Sequence, residues 1–335
     1  MTENIQITER VATGAVTPAV TRVAIIGATG YSGAELAEIL KRHPHVKVTG
    51  LFGSEFQMDS LAEAAPDAVF LAVPNEVSAH LAPKLVEAGM RVIDLSGAFR
   101  LRDENLYPQW YGFTHESPEL LEEAVYGLTE WCNGELKKAR LVANPGCYPT
   151  SVLLALRPIM YLIDRGQPVI CDSKSGVSGA GKKSDLAFSF SELFGNFKAY
   201  GVGQHRHEPE IRQGLHLGDR ATLVFVPHLL PTVRGILSTI HVGFTRAITP
   251  GEMEQIYAAS YANAPFVKVL PPGQLPELKN VVNKPHAEIG YQLLQGGRRA
   301  VIVSVIDNLL KGAASQAVQN FNRMYGYPET EGLGQ

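Results

Sequence analysis

The chain has 335 residues, which is enough for about two domains of ordinary size. Hydrophobic residues make up 45% and the formal net charge is -3, so the composition argues against disorder and against binding to nucleic acid or an anionic membrane. Three cysteines at irregular spacing and no apolar run of about 20 residues indicate a reducing, cytoplasmic location and no membrane span.

The first part of the chain alternates strands with helices. Residues 1–21 are polar and mixed, and we expect a flexible extension rather than a secretory signal. Helices are predicted over Ala34–Arg42 and Ser78–Ala88. Strands are predicted at Arg22–Ile26, Val46–Leu51, Asp67–Val73 (followed by Pro74), Arg91–Leu95 and Leu141–Ala143. This alternation predicts a parallel, Rossmann-type sheet with right-handed crossovers.

The second part is richer in β-structure. After a helix over Thr150–Leu156, the pattern predicts one larger mixed or antiparallel sheet. Its strands are predicted at Pro168–Ser173, Ala221–Pro227, Gly235–Phe244 and Arg299–Val305. Thr249 is placed to cap a further helix, and the last helix is predicted over Gly312–Met324. The change of domain is expected near Cys147.

A glycine-rich turn follows the first predicted strand. Its sequence from Gly27 to Gly33 is GATGYSG, and a helix follows it. Glycines permit a tight turn and close backbone approach, and the helix N-terminus presents free N–H groups to a pyrophosphate. The turn therefore predicts a dinucleotide site, with an ordinary βα turn as the alternative. After the second strand, Ser54 can bind a 2′-phosphate oxygen whereas Glu55 would repel one, so the residues leave NADP and NAD both open.

The segment Asn144–Thr150, NPGCYPT, combines a tight turn with a proline suited to the first turn of a helix. Cys147 is then placed at a helix N-terminus, where the dipole favours a thiolate that can attack an acyl carbon. The alternative is a buried, inert thiol. That alternative is preferred for Cys132 and for Cys171, which ends an apolar strand.

A thiol nucleophile needs a base, and the segment QHRHEPEI supplies two histidines. In an extended segment His205 and His207 would share a face with Arg206 opposite, and Glu210 would orient an imidazole. A metal site built from these histidines is a weaker alternative, and we predict no metal.

Two further groups of residues are candidates for binding anions. The loop Ser175–Lys183 is glycine-rich, follows a strand and can hold a phosphate through backbone N–H groups and Lys182. It lacks the spacing of an NTPase loop. Arg100 and Arg102 follow the fourth strand and are either anion binders or surface residues.

These motifs together resemble the N-acetyl-γ-glutamyl-phosphate reductase family. The resemblance extends over nearly the whole chain after Thr21, and its motifs stand in family order. They are GATGYSG, VIDLSGAFRL, NPGCYPT, SGVSGAGK, HRHEPEI and IDNLLKGAASQAVQN. The resemblance implies a semialdehyde dehydrogenase fold, with a nucleotide domain over residues 22–147 and 307–335. It also implies a catalytic and dimerisation domain over residues 148–306.

The resemblance implies NADP-dependent reduction of an acyl phosphate in arginine biosynthesis by a homodimer or homotetramer, with phosphate and the semialdehyde as small-molecule partners. It implies Cys147 as nucleophile and His207 as general acid and base that keeps Cys147 a thiolate, with Glu210 and His205 in support. Cofactor contacts are expected from Gly27, Thr29, Gly30, Tyr31, Ser32, Gly33, Ser54, Pro74, Ser178, Gly179 and Asn308. Substrate contacts are expected from Ser96, Arg100, Asn144, Ser175 and Lys182, with Arg100 on the phosphate.

Two features depart from the family pattern. The chain is shorter between the second strand and Asp67, and it has Glu55 where the family tends to place a basic residue. Three other functions remain as alternatives. The first is the same chemistry on an aminoadipyl or aspartyl phosphate, the second a non-catalytic nucleotide sensor, and the third a dehydrogenase without covalent chemistry.

Overall fold

The computed structural model of the chain describes residues 20–132, 134–182, 190–218 and 222–334. The expected flexible extension lies outside the described residues as far as residue 19, and Thr21 already begins the first strand. The described part folds around two sheets, one entirely parallel and one mixed.

The parallel sheet has six strands in the order β2-β1-β3-β4-β6-β5. The strands are β1 Thr21–Ile26, β2 Val46–Phe52, β3 Ala68–Leu71, β4 Arg91–Asp94, β5 Val125–Tyr126 and β6 Leu141–Ala143. The helices that accompany them are α1 Tyr31–Lys41, α2 Met58–Ala64, α3 Asn75–Glu87, α4 Tyr107–Trp110 and α5 Pro118–Glu123. The central strands are buried on both faces, as their continuous Val/Ile/Leu/Phe runs require in a parallel sheet.

The mixed sheet has seven strands in the order β11-β12-β13-β10-β7-β9-β8. They are β7 Val169–Gly176, β8 Lys198–Ala199, β9 Leu223–Leu230, β10 Ile236–Gly243, β11 Val267–Val269, β12 Ala287–Leu294 and β13 Arg299–Ile306. The helices of this half are α6 Cys147–Leu156, α7 Phe190–Leu193, α8 His207–Gly214 and α9 Pro250–Tyr261. Apolar residues of α6 and α9 join the inner face of the sheet in the largest core cluster.

The predicted fold class is confirmed, and the differences lie in single elements. Helix α1 starts at Tyr31 instead of Ala34, because the glycine turn leads into the helix without an intervening loop. Strand β12 was not predicted. Its sequence AEIGYQLL does not alternate regularly, and Gly290 is needed because a Cβ there would lie 2.3 Å from the Gln274 carbonyl oxygen.

The C-terminal segment returns to the parallel sheet. A π-helical turn over Leu310–Ala314 leads into α10, Ser315–Tyr325, whose apolar side packs with α1 in one core cluster. Its buried polar side chains bond to the opposite loop: Asn320 Nδ2 donates to the Gly127 carbonyl oxygen at 2.7 Å. Lys311 and Glu130 form an ion pair with both side chains fully buried. No helix among the described residues is long and apolar enough to cross a bilayer.

Candidate active site

The glycine turn has the geometry that a dinucleotide cradle requires. Gly27 has φ +92°, and a Cβ there would lie 2.2 Å from the Ala72 carbonyl oxygen. A Cβ at Gly33 would lie 2.2 Å from the Gly27 carbonyl oxygen, so the helix packs tightly on the strand end. Gly30 caps α1 without a side-chain bond, which leaves the first N–H groups of the helix available for an anion. These residues therefore fit a pyrophosphate.

The turn opens into a cleft of about 390 Å³ between the two sheets. Ten of the predicted site residues line it: Gly30, Tyr31, Ser32, Gly33, Pro74, Ser96, Arg100, Ser178, Gly179 and Asn308. Cys147, Lys182 and His207 complete the predicted set in the cleft wall. Cofactor-side and nucleophile-side residues thus share one cavity, although they come from both sheets.

Cys147 is the first residue of α6, and Gly146 is its cap. The thiol is half-buried and free. Burial raises the pKa of the Cys147 thiol, and Arg100, the Tyr148 backbone N–H and Arg206 offset only part of this rise. The helix N-terminus was expected to favour a thiolate. The structure differs, because desolvation of the charged form outweighs these favourable contacts with the thiolate.

His207 is the first residue of α8 and is buried beside the cysteine turn. A Cβ at Gly146 would lie 2.6 Å from His207 Nε2, so this nitrogen faces the turn. Burial, followed by the like charges of His205, Arg100 and Arg206, lowers the pKa of His207 well below its usual value. The imidazole is therefore neutral near pH 7 and able to accept a proton.

His205 lies behind His207 and outside the cleft wall. The expected extended segment is wrong here, because a helix begins at His207; the two rings still lie 4.8 Å apart between centroids. His205 Nδ1 accepts the backbone N–H of His207 at 3.1 Å, and burial lowers the pKa of His205 to about 4. His205 thus holds the start of α8 in place.

Glu210 was expected to orient an imidazole, and the structure gives it other partners. Its fully buried carboxylate accepts the Gly146 N–H at 2.8 Å and the Tyr126 hydroxyl at 2.8 Å. It also pairs with Arg100 Nη1 at 3.4 Å. Glu210 lies 64 positions from Gly146 in the sequence, yet it bonds directly to this residue, which precedes the nucleophile. It acts on the cysteine turn.

Arg100 is 7% exposed and has most of its donors committed. Its Nε donates to the Asn144 carbonyl oxygen and its Nη2 to the Leu95 carbonyl oxygen, both at 2.8 Å. Burial disfavours its charge, but Glu210 and nearby groups raise the pKa of Arg100 above its usual value. The guanidinium therefore fastens the β4 and β6 loops together, and only part of it faces the cleft.

The buried Asp94 shapes the loop that carries Arg100. Its carboxylate accepts the Ser78 hydroxyl at 2.7 Å, the Ser96 N–H at 2.9 Å and the Ser96 hydroxyl at 2.8 Å. Burial raises the pKa of Asp94. Because the Ser96 hydroxyl is bonded to Asp94, Ser96 orders the cleft wall as well as lining it.

Four other predicted residues lie outside the cleft wall. Asn144 is buried, its amide donating to the Ala313 carbonyl oxygen at 3.2 Å and accepting from Asn320 at 3.0 Å. The Ser175 hydroxyl donates to the Gly176 carbonyl oxygen at 2.9 Å. Thr29 contacts the position of a Cβ at Gly53 at 3.5 Å, and Ser54 is exposed beyond it. The structure gives Asn144 and Ser175 internal partners instead of substrate-facing positions.

Four residues that the sequence analysis did not select also form the site. Asn75 accepts the Gly97 N–H at 2.8 Å, and Arg206 lines the cleft. A Cβ at Gly312 would lie 2.8 Å from the Cys147 Cβ, so the π-helical turn passes directly over the nucleophile. Arg206 and Gly312 lie within motifs already quoted, whereas Asn75 and Arg234 carry no local pattern that would have identified them.

Arg234 joins the two walls of the cleft. Its Nη1 lies 3.0 Å from Glu35 of α1, and its Nε lies 3.1 Å from the buried Asp307. Its neighbours hold the cofactor-side wall: the Val233 carbonyl oxygen accepts the Ser178 hydroxyl at 2.6 Å, and the Gly235 N–H donates to Asn308 at 2.7 Å. Arg234 thus fixes the spacing between the glycine turn and the second loop.

We expect Arg234→Met to weaken dinucleotide binding about tenfold, which corresponds to about 1.4 kcal/mol. The reason is that the two walls lose their direct link. Equilibrium titration of the dinucleotide by fluorescence quenching measures this. Arg246→Met is the control, because Arg246 pairs with Glu252 at the surface, away from the cleft. Equal affinities of the two variants would contradict the role of Arg234.

The pKa shifts of Cys147 and His207 predict the pH dependence of alkylation. A thiol with a raised pKa beside a neutral imidazole gains thiolate as pH rises, so the rate with iodoacetamide should increase about tenfold per pH unit from pH 6 to 8. Stopped assays of residual thiol in the dinucleotide-free protein measure this. A rate that is already constant from pH 6 upward would show a thiolate–imidazolium pair instead.

The family comparisons agree with this architecture. The family model for the semialdehyde dehydrogenase NAD binding domain matches residues 22–66 and 55–139, and the model for the semialdehyde dehydrogenase dimerisation domain matches residues 147–308. Aspartate semialdehyde dehydrogenase II from Vibrio cholerae superposes with a TM-score of 0.68 at 19% identity, covering 91% of this chain and 98% of that one. The enzyme from Candida albicans, solved with NADP, has a TM-score of 0.66 at 13% identity over 92% and 99%.

The fold and the two matched domains define a protein of the semialdehyde dehydrogenase class. N-acetyl-gamma-glutamyl-phosphate reductases are much closer in sequence. That of Geobacillus stearothermophilus is 45% identical over 93% of this chain and 97% of its own length, and that of Bordetella pertussis is 42% identical over 94% and 96%. The chain belongs to the N-acetyl-gamma-glutamyl-phosphate reductase family, which confirms the resemblance seen in the motifs.

Proposed function

We propose that the protein reduces N-acetyl-γ-glutamyl phosphate to N-acetylglutamate 5-semialdehyde and phosphate with NADPH, as a step of arginine biosynthesis. One observation carries the proposal: Cys147, at the start of α6, and the neutral His207 share a single cleft with the glycine turn. The choice of the N-acetylglutamyl group as the acyl group of the substrate rests on the names of relatives that are 42–45% identical in sequence.

The first step is nucleophilic attack. Because the Cys147 thiol and the His207 imidazole are both neutral at the start, His207 Nε2 takes the thiol proton as the sulfur bonds to the acyl carbon. The C–O bond to phosphate then breaks, phosphate leaves with that electron pair, and a thioester to Cys147 remains. The expectation that His207 keeps a resting thiolate is replaced here by proton transfer during attack.

The second step returns the proton. A nicotinamide dinucleotide held by the glycine turn, residues 27–33, would supply the hydride that reduces the thioester carbon. His207, now protonated, donates its proton to the oxygen of the resulting hemithioacetal. Breakdown of the hemithioacetal returns that proton to His207 and releases the aldehyde and the Cys147 thiolate. His207 then gives the proton back to the sulfur, which restores the starting thiol and neutral imidazole.

A backbone N–H group at the start of α6 stabilises the negative oxygen in both steps. The Gly146 N–H is occupied by Glu210 and the Tyr148 N–H is directed at the Cys147 sulfur, whereas the Cys147 N–H stands at the open first turn of α6. A donor of this kind is typically worth about 3 kcal/mol in the transition state. Glu210 thus holds the turn so that the Cys147 N–H is in position for the oxyanion.

We assign NADP(H) in preference to NAD(H). The exposed Ser54 stands two residues after the end of β2 and next to Gly53, which faces Thr29 of the glycine turn, so its hydroxyl can bind a 2′-phosphate. Glu55 is also exposed and opposes that charge. The family resemblance supports NADP. Activity measured with NADP and with NAD shows whether the effect of Ser54 or that of Glu55 is larger.

We propose that the protein works in the cytoplasm as a homodimer or homotetramer, and its match to a dimerisation domain supports an oligomer. The outer face of the mixed sheet presents half-buried apolar side chains of neighbouring strands. They are Ile170, Val224, Val226, Leu237 and Val301. A second subunit would cover such a face. The free cysteines fit a reducing compartment.

The testing experiment is phosphate-dependent oxidation of N-acetylglutamate semialdehyde, followed as dinucleotide reduction with NADP and with NAD in parallel. We expect NADP reduction that requires phosphate and stops when Cys147 is alkylated. Activity with NAD alone would overturn the cofactor assignment. Activity only with aspartate or aminoadipate semialdehyde would overturn the substrate, and no activity with any aldehyde would favour a nucleotide sensor.

A further inference from the structure

The cleft contains a cation that the mechanism above does not use. Three cationic side chains line it: Arg100, Lys182 and Arg206. Arg100 is neutralised by the buried Glu210, and Lys182 stands on the second glycine-rich loop. Arg206 is exposed, and in the parts of the chain that the structure describes no carboxylate forms an ion pair with it.

Arg206 stands where local electrostatics oppose it. It is the N-cap of α8, the end of a helix at which the backbone dipole disfavours a positive charge. Burial lowers the pKa of its neighbours His205 and His207, and the charge of Arg206 lowers both further, so these two imidazoles are not counter-charges for it. A cation kept at such a position without a counter-charge favours the binding of an anion from outside the chain.

We propose that Arg206 binds the α-carboxylate of the substrate and so selects substrates that carry one. This assignment rests on the proposed function, because the acyl phosphate named there has two anionic ends. The phosphate end must lie at the carbon that Cys147 attacks. The carboxylate carbon lies four carbon–carbon bonds away, which is roughly 5 Å end to end in an extended zigzag of bonds of about 1.5 Å.

The placement of the two arginines fits the two ends. Arg100 bonds directly to the Asn144 carbonyl oxygen, within the cysteine turn itself, and influences the Cys147 thiol more strongly than Arg206 does. Arg206 lies on the other half of the fold, next to His207, with its long side chain free to reach the far end of the substrate. A guanidinium binds a carboxylate through two parallel hydrogen bonds, which gives geometric selection as well as charge.

The test compares two aldehydes that differ only in the carboxylate. N-acetylglutamate semialdehyde is one, and 4-acetamidobutanal, in which hydrogen replaces the carboxylate, is the other. The measured quantity is the ratio of their kcat/KM values at saturating phosphate and dinucleotide. Arg206→Met is expected to lower this ratio roughly 10- to 100-fold, the range for loss of hydrogen bonds to a charged group. Arg206→Lys, which keeps the charge and loses the paired geometry, should give an intermediate ratio.

Arg102→Met is the matched control, because Arg102 is exposed near the same helix and lies outside the cleft wall. Its ratio should equal that of the unmodified protein. An unchanged ratio in Arg206→Met, in folded protein, overturns the assignment. A raised KM for phosphate or for dinucleotide with an unchanged ratio also overturns it, and would show that Arg206 binds that ligand instead. If Arg206→Met does not fold, the Arg206→Lys ratio decides.

Failure of the proposed function gives a different result. In that case the unmodified protein itself would not oxidise N-acetylglutamate semialdehyde, and the carboxylate assignment would fall with the substrate. Turnover by the unmodified protein together with an unchanged ratio in the variants removes the assignment of Arg206 alone.

Discussion

Replacing Cys147 with serine is expected to abolish turnover and to leave the fold and dinucleotide binding intact. The hydroxyl is far less acidic than the thiol, and His207, whose pKa is lowered well below its usual value mainly by burial, is too weak a base to activate it. Loss of a catalytic nucleophile typically lowers kcat by about 10⁴- to 10⁶-fold. Steady-state assays, far-UV circular dichroism and dinucleotide titration measure the three properties.

Cys132→Ser is the control for this substitution. The Cys132 thiol is buried and donates to the Tyr126 and Leu128 carbonyl oxygens, both at 3.3 Å. Burial raises the pKa of Cys132 to about 12, so it is not a nucleophile near neutral pH. A serine hydroxyl keeps the bonds, and activity should be retained. Appreciable turnover in Cys147→Ser would contradict covalent catalysis and favour direct hydride transfer.

Glu210→Gln is expected to lower both stability and kcat while making Cys147 more reactive towards iodoacetamide. The amide leaves Arg100 buried without its counter-charge, and breaking a buried pair in this way costs about 3–5 kcal/mol. The Gly146 N–H also loses a charged acceptor, so the oxyanion donors shift, and a displacement near 1 Å costs roughly 10²-fold in kcat.

The opposite effect on alkylation separates this role from simple misfolding. Glu210 contributes to the raised pKa of Cys147, so removal of its charge lowers that pKa and increases the thiolate at a given pH. Urea unfolding, kcat and alkylation rate are measured on the same preparation. Glu208→Gln is the control, because Glu208 lies two residues away on α8 and faces outside the cleft. Unchanged kcat in Glu210→Gln would show that Glu210 does not position the turn.

The sequence by itself determined the local units of the site. The strand, the glycine turn and the following helix are consecutive, and the first turn of α6 follows directly from Pro145, Gly146 and Pro149. Backbone sterics and helix-end chemistry act over only a few residues, so such units can be predicted without knowledge of the rest of the fold. The family motifs then gave the fold class and the family, both confirmed.

Only the tertiary structure decided the partners of the buried polar groups. Glu210 meets Gly146 from 64 positions away and Arg100 from 110, and Arg234 reaches back to Glu35 of the other domain. The protonation states of Cys147 and His207 depend likewise on enclosure by both halves. A side chain's neighbours across domains and its exposure to water are set by how the two sheets pack. For that reason the sequence identified the reacting groups, whereas only the structure showed which residues position them and what sets their protonation states.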